Sequence, residues 1–158
     1  MLLFEITDAF ETAKLKYALI GGYALALHGL VRATIDVDFV LRLRQSDYEL
    51  AEKTLAKINL RSRLPIRAQD VIKMRKEFIE NRNLLAWSFV DYKNPTRQVD
   101  LLITRDLDDC ETQKISVAGR KITIVSLREL LKMKLEAGRP QDLVDIQNIR
   151  EKMNEKKS

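Results

Sequence analysis

Residues 21–39 read GGYALALHGLVRATIDVDF, and two parts of that run belong together physically. Gly21-Gly22 lies between the apolar run Tyr17-Ala18-Leu19-Ile20 and the helix-prone run Ala24 to His28. That order predicts a strand, a tight turn and a helix start, an arrangement whose backbone N–H groups can cradle phosphate. Asp36 and Asp38 follow inside a second apolar run, Thr34 to Leu43. Side chains alternate faces along a strand, so Asp36 and Asp38 point one way and Ile35, Val37 and Phe39 the other. Paired carboxylates facing a phosphate-binding turn predict a divalent-metal site for nucleotide chemistry.

A third carboxylate is expected on a neighbouring strand. Asp100 in Gln98-Val99-Asp100-Leu101-Leu102-Ile103 fits, because a charge within an apolar strand needs compensation. Two readings stand at this point: a metal ligand beside Asp36 and Asp38, or an acid at an exposed edge or paired with Arg97. Three carboxylates close together repel, each pair by about 4 kcal/mol at ~4 Å and an effective dielectric of ~20. Bound Mg²⁺ or Mn²⁺ would remove that penalty, and oxygen-only ligands suit hard cations.

The rest of the chain reads as one α/β (α+β) domain over residues 1–158, a mixed sheet flanked by helices. Leu3, Ile6, Phe10 and Ala13 give the N-terminus an amphipathic helical spacing unlike a signal peptide. Ser46-Asp47-Tyr48-Glu49 has the capping-box pattern for a helix to about Asn59, and a further helix is predicted over Gln69 to Asn81. Leu84–Tyr92 and Arg97–Thr104 form one predicted hairpin about Lys93-Asn94-Pro95-Thr96. Lys114–Val117 and Lys121–Val125 form another about Ala118-Gly119-Arg120. Ser126-Leu127-Arg128-Glu129 is a second capping box, for a helix ending at Gly138, and Pro140 suits the first turn of a last helix reaching about Lys152.

Composition narrows the functional classes. A single cysteine, Cys110, excludes an intramolecular disulfide and a cysteine-rich metal site, and a single histidine, His28, excludes a multi-histidine one. No apolar run approaches a membrane span, and a soluble, cytoplasmic protein is expected. The net charge is +5 although the proposed site is acidic, so the excess base lies elsewhere. Between Arg61 and Lys76 stand six basic residues (Arg61, Arg63, Arg67, Lys73, Arg75, Lys76) against one acid, Asp70. That segment is either a solvated helix face or a patch for a polyanionic acceptor such as RNA.

With Gly21-Gly22-Tyr23-Ala24-Leu25, His28-Gly29, and Arg32, Thr34, Asp36 and Asp38 at this spacing, the chain resembles the DNA polymerase β-type nucleotidyltransferase superfamily. It is most similar to the small prokaryotic branch that holds the abortive-infection (AbiEii-like) toxins. The tail Lys134-Leu135-Glu136-Ala137-Gly138-Arg139-Pro140, followed by Asp142 and Asp145-Ile146, resembles that branch's C-terminal motif. The resemblance covers roughly 17–40, 98–104 and 127–147, and it implies a metal-dependent nucleotidyltransferase that moves NMP from an NTP such as ATP. It implies Asp36, Asp38 and Asp100 as catalytic metal ligands. It implies Gly21, Gly22, Tyr23, Arg32, Thr34, Lys134, Arg139 and Asp142 around the nucleotide. An RNA 3′ end, a protein hydroxyl or a small molecule such as an antibiotic is the implied acceptor, and a cognate antitoxin the implied partner. One departure stands out: many members carry a serine where this chain has Tyr23, so the serine's phosphate contact does not transfer.

Helix geometry bears on the tail. At about 100° per residue Leu127, Leu130, Leu131 and Leu135 share a stripe with Lys134 at its centre, and Arg128, Glu129, Lys132 and Glu136 lie opposite. Such a lysine either snorkels to solvent or reaches an internal anion. Asp142 shares a stripe with Ile146, Ile149 and Met153, and it pairs with Arg139, orients Lys134, or only answers the helix dipole. His28 packs beneath the turn or touches the nucleotide. Arg32 reaches a phosphate or faces solvent.

Overall fold

The computed structural model describes residues 1–34 and 36–157, the last two of these in backbone only; Ile35, expected on the face opposite the acids, lies outside them. Seven strands form one mixed sheet: β1 (Tyr17–Ile20), β2 (Val37–Leu41), β3 (Arg61–Ser62), β4 (Ala86–Asp91), β5 (Asn94–Leu102), β6 (Thr112–Val117) and β7 (Arg120–Val125). Their spatial order is β3-β4-β5-β2-β1-β7-β6. Helices α1 (Leu2–Thr12), α2 (Gly21–Leu27), α3 (Gln45–Lys57), α4 (Ala68–Lys73), α5 (Arg75–Arg82), α6 (Leu127–Ala137) and α7 (Asp142–Lys157) complete the domain.

The central strands β1, β2 and β5 are apolar because they are covered. Phe10 of α1 stacks edge-on against Phe39 of β2 at 5.2 Å between ring centroids, and Tyr48 of α3 lies parallel to Trp87 of β4 at 6.1 Å. Both helices therefore cover the face that carries Phe39 and Trp87. By alternation the opposite face of β2 and β5 carries Asp38 and Asp100. The amphipathic reading of the N-terminus holds: Leu3, Ile6 and Phe10 are fully buried.

Several local expectations are corrected. The strand expected from Thr34 to Leu43 is regular only over Val37–Leu41. The helix expected over 69–81 is two helices, broken at Met74, and a two-residue strand, β3, precedes them. Ser46 does not cap α3: the helix begins at Gln45, and Asp47 is drawn to Arg42, with Nε–Oδ2 at 2.6 Å. Ser126 does cap α6, accepting from the Glu129 N–H at 3.0 Å, but Glu129 is buried against Arg105 and does not complete a box. Leu135, placed on the apolar stripe by periodicity, is 48% exposed, because the buried face of α6 runs through Leu127, Glu129 and Leu130. Pro140 stands in the turn before α7 and not in its first turn, and α7 runs on to Lys157. Both hairpins are present: in the first β4 is shorter than expected and β5 starts earlier, at Asn94, so the turn is Tyr92-Lys93; in the second both strands are longer than expected, about a turn at Ala118-Gly119.

Candidate active site

Register brings two of the expected acids together, whereas Asp36, expected in the same strand as Asp38, lies just before β2 and outside its register. β1 pairs antiparallel with β2, placing Ile20 opposite Asp38; β2 pairs parallel with β5, placing Asp38 beside Asp100. The glycine turn therefore opens directly over Asp38. A side chain at Gly21 would collide with Asp38 Oδ2, and one at Gly22 would stand 2.7 Å from Thr34 Cβ. Gly21 also has φ +72°, a conformation that favours glycine. Gly21 is thus required by close approach to the acid-bearing strand and Gly22 by close approach to Thr34 in the segment before it, and α2 starts at Gly21 itself, three residues before the expected Ala24.

Burial and like charge act together on Asp38. Desolvation first, then the charge of Asp100, push its carboxyl up to about 8, and Asp38 and Asp100 share a hydrogen bond. Both effects favour the protonated form of Asp38. Asp36 is also raised, by burial and by Asp100, while Arg63 pulls it back down. Among the described residues no group of three or more His, Cys, Asp and Glu side chains stands close enough together to hold a metal ion.

Asp100 is neither at an edge nor paired with Arg97. β5 lies between β4 and β2, and Arg97 binds Glu5 (2.7 Å) and Asp91 (3.1 Å). Two residues that drew no attention in the sequence hold Asp100 instead. Ser88 Oγ donates to its Oδ1 at 2.6 Å and Gln98 Nε2 to the same oxygen at 3.2 Å. Gln98 was legible in principle, since it lies two residues from Asp100 on the same face. Ser88 emerges only from the β4–β5 register.

The tail residues close the other side of the site. Lys134 is 15% exposed and sits 3.2 Å from Asp142 Oδ1 and 3.1 Å from Asp145 Oδ2. Its charge also acts downward on the Asp38 carboxyl. Asp142, fully buried, receives Arg139 through Nε (3.0 Å) and Nη2 (3.1 Å). Burial alone would raise Asp142, yet hydrogen bonds from Arg139 and Lys134 hold its carboxyl below the usual range. Lys134 thus neither snorkels nor stands alone; it is the centre of a buried ion network. Arg32 lies 3.6 Å from Asp145 on an exposed loop, and Thr34 Oγ1 donates to the Asp36 carbonyl at 3.2 Å. Tyr23 is half-buried against the core. His28 is buried, its Nε2 2.8 Å from the Val125 carbonyl, which is the packing role.

The basic segment 61–76 is not one patch. Arg67 binds Glu52 at 2.9 Å, and Arg75 turns inward to the Ile103 carbonyl at 2.6 Å. Arg61, Arg63, Lys73 and Lys76 remain exposed.

A glycine-opened helix over Asp38, with Asp100 in register on the next strand of a mixed sheet, is the arrangement expected of a nucleotidyltransferase fold, and solved structures share that fold. The chain is similar to a candidate nucleotidyltransferase from Thermotoga maritima (TM-score 0.61, 15% identity, 98% of this chain and 91% of that one). It is also similar to the lincosamide antibiotic adenylyltransferase LnuA (0.59, 17%, 94% of each). A third similar structure is an antigenic nucleotidyltransferase-like protein from Paracoccidioides brasiliensis (0.60, 16%, 95% and 72%). The chain belongs to the AbiEii nucleotidyl transferase toxin family of type IV toxin–antitoxin systems, whose model matches residues 2–157. It is a nucleotidyltransferase. No curated protein matches it in sequence. No helix among the described residues is long and apolar enough to cross a membrane.

Proposed function

We propose that this chain transfers NMP from an NTP to an acceptor hydroxyl on RNA, in a reaction that depends on Mg²⁺ or Mn²⁺, and that an antitoxin partner restrains it. The observation that carries the reading is the register that sets Asp38 beside Asp100 under the glycine turn. Asp36, Asp38 and Asp100 offer only hard oxygen donors, and a cation among them would relieve the like charge that, with burial, raises Asp38. Those three residues have the donor chemistry for a divalent ion and would have to draw together to hold one. When bound, it would supply charge neutralisation on the triphosphate and a lowered pKa at the acceptor hydroxyl.

The chain's own groups supply the rest. The backbone at Gly21-Gly22, opening α2, points N–H groups at the β- and γ-phosphates. Lys134 exchanges part of its contact with Asp142 and Asp145 for phosphate oxygen, and Arg139 keeps Asp142 neutralised meanwhile. Ser88 and Gln98 fix the Asp100 carboxylate on the acceptor side. Phosphoryl transfer has a loose transition state, so this positioning and charge matching account for most of the rate.

The test is thermal. Mn²⁺ with a non-hydrolysable NTP analogue should raise the melting temperature of the parent, and Asp36→Asn/Asp38→Asn should lose that gain. A double variant as strongly stabilised as the parent would move the site elsewhere.

A further inference from the structure

A row of side chains crosses the sheet on the acid face. Asp38 on β2 stands beside Asp100 on β5, and Asp100 stands opposite Ser88 on β4. The Arg63 N–H donates to the Ser88 carbonyl at 2.9 Å, so the row ends at Arg63, just past β3. Ser62 faces the other way, since its Oγ takes the Trp87 Nε1–H at 2.8 Å on the α3 side. Arg63 therefore lies on the face of the carboxylates, about 10 Å from Asp100 at two strand spacings.

Its chemistry is unusual for an arginine beside acids. Arg63 is exposed, and its Nη1 donates to the neutral Gln98 Oε1 at 3.3 Å; among the described residues it has no ion-pair partner. Gln98 in turn holds Asp100. The Arg63 charge is felt at Asp36, which places it within electrostatic reach of the reaction centre. Arg67 and Arg75, its neighbours in sequence, are neutralised or turned inward. A guanidinium anchored by one neutral bond keeps a fork of donors for a phosphate.

We infer that Arg63 is the residue that selects a phosphate-bearing acceptor, binding a backbone phosphate of the strand whose terminal hydroxyl lies at Asp100, with Gln98 as its tether. The inference rests on the nucleotidyl-transfer reading above and adds the residue through which the acceptor is recognised. A small neutral acceptor would leave Arg63 without a ligand.

The experiment measures binding of a fluorescent single-stranded RNA 12-mer to the parent, Arg63→Gln, Arg63→Lys and Arg67→Gln across a salt series. Arg63→Gln should weaken binding about tenfold at low salt and reduce the slope of log K against log salt by about 0.7, one released counterion. Arg63→Lys should keep most of the slope, and Arg67→Gln should match the parent because Arg67 is already paired. Stabilisation by Mn²⁺ and the NTP analogue should persist in Arg63→Gln, showing a folded nucleotide site. If the parent binds RNA and Arg63→Gln binds it with the same affinity and slope, the inference fails while the transfer reading stands. If the Arg63→Gln defect lies in kcat with KM for RNA unchanged, Arg63 only positions Asp100 and the inference is overturned. A parent with no RNA binding at any salt overturns both the inference and the RNA acceptor.

Discussion

Lys134 carries the sharpest consequence at the scale of single residues. Its ammonium is shared by two buried carboxylates, so Lys134→Met preserves the stem but leaves Asp142 and Asp145 short of a cation. Breaking one arm of a buried ion network costs a few kcal/mol, less than a full buried pair because Arg139 remains. The methionine variant should melt several degrees lower by calorimetry and bind the NTP analogue at least tenfold more weakly. Equal NTP affinity would restrict Lys134 to a structural role. Asp142 gives a pH prediction. Its folded carboxyl lies below the unfolded value, so the unfolded state binds more protons as pH drops. The stabilisation is whole above pH ~4, the unfolded carboxylate value, and is lost as pH falls through the lower folded value. Asp142→Asn should therefore flatten the acid limb of urea stability measured from pH 5 to pH 2; an unchanged acid limb would show that the pairing contributes nothing.

Among the elements, the strand–turn–helix unit of β1 and α2 is where backbone sets chemistry. Gly21→Ala meets both a positive φ and the Asp38 carboxylate. A left-handed conformation costs a non-glycine residue about 1–2 kcal/mol before the collision is counted. The variant should fold with reduced stability and lose Mn²⁺–NTP stabilisation, because Asp38 must move; a variant retaining the full gain would show that the close approach is not needed. This unit was legible in the sequence, since an apolar run, two glycines and a helix-prone run admit few other readings. Asp38 was legible as a strand acid beside it, but Asp36 was not placed correctly, because the strand begins only at Val37. α6 was only half legible: periodicity placed Leu135 inside and Glu129 outside, and Arg105, which comes from the loop after β5, reversed Glu129 by offering it a buried partner. Side-chain partners from distant segments leave no local trace in a single chain. The Ser46 cap failed for a local reason: α3 starts at Gln45, with Arg44 at its N-cap, and Gln45 takes the Glu49 carboxylate.

For the whole molecule, the sheet order decides which acids meet. The sequence predicted a mixed sheet, but only the topology β4-β5-β2-β1 puts Ser88, Asp100, Asp38 and the glycine turn side by side. The same topology dissolved the basic segment 61–76, sending Arg75 into the protein and Arg63 toward the acids. Charge counting along the chain sees neither outcome. Nucleotidyl transfer on this one face is tested most directly by its product. The direct measurement incubates the purified parent, Asp38→Asn and Asp100→Asn with Mg²⁺, each α-labelled NTP in turn and total cellular RNA, and follows label into RNA. The parent should label RNA with at least one NTP, and only when the divalent ion is present. Asp38→Asn and Asp100→Asn should each lose transfer by about a thousandfold or more, with Asp100→Asn keeping much of its NTP affinity. Label transferred equally by the parent and both variants, or by the parent in excess chelator, would contradict the account.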